Sequence, residues 1–215
     1  LSCAMIKLEE EEKGKEQEIF ERINSTGVPL NLADKIRNFV LMTEVDQDRL
    51  YEEYWLVMEQ LLGNDHLSDF FLDYLNFKLD GFTREKEAYD NFKILFKEES
   101  YTNETMFEEL LHYAKQYDIF LNGSKNLSKD INKALSGLRK LKQTTVYLFL
   151  FDVFDDFEDD IIDENELSEV LHLLLNYSIR RLICEVGSNS LRGLYKTLYG
   201  RAFNRDENKK FYYDS

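Results

Sequence analysis

Apolar residues recur at three- and four-residue steps along nearly the whole chain, the period of an amphipathic helix, and polar residues collect on faces instead of alternating. The start is different. Ser2 to Leu8 is mostly apolar and predicts a short strand, and the acidic run Glu9 to Glu12 leads into a first helix whose N-terminus favours negative charge. Ile19, Phe20 and Ile23 carry helical spacing to Ser25, with Asn24 on the buried edge. Gly27 then admits a positive φ, and Pro29, the single proline, stops Val28 from continuing the helix, so a turn is predicted. Beyond it Asn31 is placed to cap a new helix with Asp34 at its third position. Leu32, Ile36, Phe39, Val40 and Thr43 form its apolar stripe, while Asp34, Arg37, Asn38 and Leu41 fall on another side.

The remainder predicts helix after helix. Asp46 to Leu62 has Leu50, Tyr54, Val57, Met58 and Leu61 inward and Gly63 as its stop; Asn64 or Asp65 caps the next, which ends before Gly81. Thr83 starts another through Phe96, Thr102 or Asn103 caps one closed by Gly123, and Ser128 begins a shorter one. Val146, Phe149, Leu150, Val153, Phe154 and Phe157 form a one-sided stripe. The following helix, from about Asp163 to Val186 and stopped by Gly187 and Ser188, is apolar on most sides and reads as the central one. Ser190 to Phe203 make the last, and Asn204 to Ser215 a charged tail. No repeat period joins these units, so an irregular multi-helix bundle is expected rather than a solenoid.

With 215 residues the chain can bury roughly 70% of its unfolded surface without staples. Its two cysteines, Cys3 and Cys184, have no metal-ligand companions, so neither a disulfide framework nor a zinc site is indicated and a cytoplasmic setting is expected. No apolar run is long enough to span a bilayer, so no membrane is expected as partner. Leu1 opens inside an apolar run, which reads as a fragment. The net charge of −15 opposes phosphate neutralisation and makes the chain by itself a poor DNA grip.

Candidate chemistry is concentrated at Asn24, Gly27, Asp34, Arg37 and Asn38. One reading is a phosphate site, with the glycine letting backbone approach an anion while Asn and Arg donate to it. The other is structural, with Asn24 serving the turn backbone and Asp34 pairing with Arg37 on one helix face. Arg180 and Arg181 interrupt an apolar helix and point about 100° apart, so at least one must leave the core. They read as a structural ion pair, for example with the acidic first segment, or as an anion site. Lys133, Arg139, Lys140 and Lys142 make the main basic cluster and read as a solvated face. The acidic run from Asp155 to Glu164 lacks the glycine and ligand spacing of an EF-hand, and His66, His112 and His172 stand on separate helices; no metal site is expected. Nor is there a nucleophile motif or a Walker loop, so no catalytic residue is assigned.

Phe20, Asn24, Gly27, Leu30, Asp34, Ile36 and Asn38 agree in order and spacing with the second signature of the ParB-like, DGQQR-motif NTPase family, which the chain resembles. That family is best known as the S half of GmrSD-type modification-dependent restriction enzymes. Asn176-Tyr177-Ser178-Ile179-Arg180-Arg181-Leu182-Ile183-Cys184 is similar to its Tyr-x-x-Arg-Arg helix near the domain end. The DGQQR string itself and an HNH nuclease module do not occur in this chain. The resemblance implies that residues 1–45 are the C-terminal edge of a truncated α/β NTPase domain, residues 46–203 a helical domain and 204–215 a tail. It further implies that Asn24, Gly27, Asp34, Arg37 and Asn38 complete a nucleotide pocket in an intact protein, an NTP-dependent restriction endonuclease component. That protein would take an NTP with a divalent cation, partner the missing NTPase segment and an HNH module, and meet DNA only as a whole. This chain alone would bind no cofactor and catalyse nothing. A helical interaction scaffold and an acidic DNA mimic are the alternatives.

Overall fold

Helix start and stop signals act at close range, and most fall where the spacing places them. The computed structural model describes residues 30–41 and 46–202. The predicted strand at Ser2–Leu8, the turn at Gly27 and Pro29, the candidates Asn24 and Gly27, and the tail lie outside the described residues. Asn31 caps α1 (Leu32–Leu41) by accepting the Asp34 amide at 2.8 Å, and Leu32, Ala33, Ile36 and Val40 are buried. A short helix, α2 (Gln47–Leu50), runs through a π turn (Tyr51–Trp55) into α3 (Leu56–Lys78). There follow α4 (Glu85–Glu98), α5 (Asn103–Asn122), α6 (Lys129–Lys140), a 3₁₀ turn (Thr144–Val146), α7 (Tyr147–Glu158), α8 (Glu164–Ile183) and α9 (Leu191–Ala202). The class is mainly α, and no strand occurs among the described residues.

The caps show their chemistry directly. Thr102 accepts from the Thr105 amide and Thr105 returns a bond to the Thr102 amide, a reciprocal box at the start of α5. Asp163 and Glu166 do the same for α8, and Ser128 caps α6. Gly63 breaks α3 at φ 68° and ψ 159°, where a side chain is strongly disfavoured, so the predicted stop is a kink with helix on both sides.

Four readings need correction. Trp55 and Leu62 are buried where Val57 and Leu61 were expected, both of which are half-buried. The cause is the π turn: Leu56 N donates to Tyr51 O, five residues back, and the inserted residue rotates the stripe so that Leu50 and Trp55 share a face. Thr83 does not start α4. It is buried before it, its amide donating to Asn76 Oδ1 at 3.0 Å and its hydroxyl accepting from Asn91 at 3.0 Å. The helix after Asp163 ends at Ile183, not Val186, because Glu185 takes φ 52° and turns the chain.

The fourth concerns the centre. α3, α5 and α7 pack together, and α7 is the helix closed in on most sides, with Tyr147, Leu148, Phe149, Leu150, Phe151, Val153 and Phe154 buried. Its rings meet those of α5: Phe120 is 5.0 Å from Phe154, and Tyr113 and Tyr117 are 5.3 Å from Phe151 and Tyr147. Each such pair adds about 0.5–1.5 kcal/mol beyond its burial. α9 covers α7 from the other side, α1 lies against α3 and α4, and α8 packs chiefly on α6 at the margin. α8 is thus peripheral, its buried face limited to Leu167, Val170, Leu171, Leu174 and Ser178.

Candidate functional site

The stripe of α1 that is buried leaves Asp34, Arg37 and Asn38 half-buried on its polar side. Arg37 Nη2 lies 3.0 Å from Asp34 Oδ1 and Nη1 lies 3.5 Å from Glu59 Oε1. Its guanidinium sits 5.7 Å from the centre of the Trp55 ring, and the indole nitrogen of Trp55 donates to the same Glu59 oxygen at 2.7 Å. The π turn sets this arrangement, because it swings Trp55 under α1. Each partly exposed pair is worth at most about 1 kcal/mol, and the ring contact adds about 0.5–1 kcal/mol. Arg37 is therefore steadied from three directions and its charge is offset by two carboxylates. Asn38 makes no side-chain hydrogen bond among the described residues.

A hollow of about 300 Å³ opens where α1 begins, lined by Leu30, Asn31, Leu32, Lys35, Glu85, Lys86 and Tyr89. It lies between the first turns of α1 and α4, and Lys35 Nζ stands 6.0 Å from the Tyr89 ring centre. Asp34, Arg37 and Asn38 do not line it. The fold brings those three together on one helix but on a different side from the hollow.

Arg180 and Arg181 diverge as their spacing requires. Arg180 is exposed. Arg181 turns inward, donates from Nη1 to the Tyr177 hydroxyl at 3.1 Å and from Nη2 to the Gly187 carbonyl, and stacks 5.5 Å from the Tyr177 ring centre. It thus holds the end of α8 by backbone and ring contacts, not by a carboxylate among the described residues.

Three polar clusters that tie distant segments had no signal in local spacing. Asp73 is 5% exposed, accepts from Tyr117 at 3.2 Å and stands 3.3 Å from Arg192; burial pushes its pKa up to about 6, and Arg192 and Tyr117 act against that. Tyr74, Tyr101 and Lys78 converge on Glu109. Burial opposes its charge, yet those three hydrogen bonds hold the carboxyl below its usual range. His112 Nε2 lies 2.8 Å from Asp155, which also accepts from Tyr113 and Gln116; the hydrogen bond to Asp155 holds His112 above the usual imidazole range. The acidic run around Asp155 is consumed in this way: Asp156 accepts from Tyr199 at 2.5 Å, Asp163 caps α8, and Glu164 accepts from the Ser128 amide at 2.8 Å. No group of three or more His, Cys, Asp or Glu among the described residues is arranged to hold a metal ion. No helix among them is long and apolar enough to cross a membrane.

Compared with protein-family models, curated proteins and solved structures, the chain matches none.

Proposed function

We propose that the chain is the non-catalytic helical portion of a prokaryotic restriction or phage-defence NTPase-nuclease protein. In this reading its first segment completes a nucleotide pocket, and its helical body couples that pocket to DNA recognition or to a nuclease module. The observation that carries it is the run from Phe20 to Asn38, whose seven matching positions resemble the second signature of the DGQQR-motif NTPases. The setting of α1 supports it. Asn31 caps α1, the apolar side of the helix faces the core, and Asp34, Arg37 and Asn38 stand half-buried outside that apolar stripe. Asn24, Gly27 and Asn38 are the direct nucleotide contacts in this reading. Arg37, already engaged by Asp34 and Glu59, is a positioning residue.

The test is made in the full-length protein carrying its DGQQR segment. Asn24→Ala is expected to abolish nucleotide hydrolysis and weaken binding of a labelled NTP at least about tenfold, the scale of one lost charge-assisted hydrogen bond. Unchanged binding and turnover would remove the nucleotide assignment. A second reading, an interaction scaffold, is favoured by the exposed apolar end of α8, and it requires no nucleotide effect from Asn24→Ala.

A further inference from the structure

The end of α7 is charged against its own helix. Six of the nine residues from Asp152 to Asp160 are Asp or Glu, and no Lys or Arg occurs between Lys142 and Arg180. Carboxylates in the last turn of a helix meet the negative end of its dipole, and those four residues apart repel one another as well. The turn that follows, Asp159 to Asp163, joins central α7 to peripheral α8. Its backbone depends on that last turn: the Asp159 amide donates to the Asp155 carbonyl, and the Ile161 and Ile162 amides share the Asp156 carbonyl. Asp160 between them takes φ 56°, a conformation that costs a residue other than glycine free energy.

The charge that answers these carboxylates comes from α5. His112 is half-buried, and both of its ring nitrogens face α7: Nε2 lies 2.8 Å from Asp155 Oδ1, and Nδ1 lies 3.6 Å from Glu158 Oε2. Among the described residues Asp155 and Glu158 have no other ion-pair partner. A neutral imidazole carries one proton and must turn a lone pair toward one of the two carboxylates, whereas the imidazolium presents a proton to each. Asp155 is fixed as an acceptor, since it also takes Gln116 Nε2 at 2.8 Å and the Tyr113 hydroxyl at 3.0 Å.

The other groups around the ring favour its charge or leave it alone. Glu109, one turn back on α5, adds to the attraction, and Asp152 stands one turn back on α7. Lys78 of α3 is spent on Glu109 at 2.9 Å. The Tyr113 ring, 4.8 Å from the imidazole and edge-on to it, keeps its phenol proton at neutral pH because burial raises its pKa. We propose that His112 is a pH-operated latch on the turn between α7 and α8: its imidazolium orders the turn, and loss of the proton loosens it. The hydrogen bond to Asp155 raises the pKa of His112 against the opposing effect of burial. The latch is therefore complete below about pH 6.5, the ordinary imidazole value, and is lost as pH rises through the higher folded-state value. The inference does not depend on the nucleotide reading.

Nuclear magnetic resonance of the full chain tests it, with the His112 ring protons giving the titration and the amides of Asp159, Ile161 and Ile162 giving hydrogen-exchange protection. The ring is expected to titrate above about pH 6.5. Protection of the three amides, corrected for the intrinsic rate, is expected to fall about fivefold through the same midpoint, the scale of one cation at a helix C-terminus. Asp73 also titrates near neutral pH, so the variants assign the step. His112→Gln is expected to show the low protection at every pH, with no step. Glu158→Gln, at an exposed position, keeps the ring and is expected to lower its midpoint. A ring that titrates at or below about pH 6.5 overturns the proposal. So does protection that ignores the His112 midpoint, a step that survives His112→Gln, or a midpoint that Glu158→Gln leaves in place.

Discussion

At Asp73 the chain buries a carboxylate among α3, α5 and α9, with the Tyr117 hydroxyl and the Arg192 guanidinium as its partners. Its pKa is pushed up to about 6, so the folded state holds that proton more tightly than the unfolded state does. The stabilising contribution is then complete below about pH 4 and is lost as pH rises through about 6. Asp73→Asn keeps the shape without the charge. Relative to the parent, the variant is expected to gain on the order of 2–3 kcal/mol between pH 4 and 7, read from urea unfolding at several pH values. A difference that stays flat or runs the other way shows that the carboxylate is not taken out of water. Nothing around residue 73 in the sequence announces this, because the partners Tyr117 and Arg192 are far along the chain. The candidate site divides in the same manner. The Asp34–Arg37 pair is legible as a three-residue step on one helix, whereas Glu59 and Trp55, which complete the hold on Arg37, belong to another helix.

Helix boundaries were legible wherever a side chain or a glycine acts on its own neighbours, as at Asn31, Thr102, Ser128 and Asp163. They were hidden where ordinary residues take the left-handed conformation: Ser100, Lys142, Asp160 and Glu185 end four helices with no glycine to mark the place. Two glycines with nearly the same backbone show how surroundings set the cost. Gly63 has open space where a Cβ would stand, while a Cβ at Gly123 would come within 2.5 Å of Asn132 Oδ1, the acceptor of the Ser124 amide. Gly63→Ala is expected to lose about 1–3 kcal/mol from backbone strain alone. Gly123→Ala is expected to lose more, by about 1 kcal/mol, because a partly buried hydrogen bond breaks as well. Paired thermal melts check this, and equal losses would mean that Asn132 moves aside freely.

One connected core takes in side chains from α1 through α9. Ile36 is fully buried in it, and Phe39 beside it meets Tyr89, Phe92 and Phe96 edge-on. Ile36→Ala is expected to lower the main unfolding transition by about 2–5 kcal/mol and not to release α1 as a separate early step. Calorimetry distinguishes the two, and a split transition would make α1 an appendage. The sequence by itself determined the helical class, most of the caps and the inward residues of most helices, because these depend on contacts within a turn or two. Which apolar helix lies at the centre was decided only by the tertiary structure. α7 and α8 both carry enough apolar residues to be buried, and α7 took that place because α3, α5 and α9 close over it. α8 meets chiefly α6, touches α7 only lightly, and keeps much of its apolar surface in contact with water. Burial is settled by how many neighbours an element receives, and periodicity reports only how many it can accept.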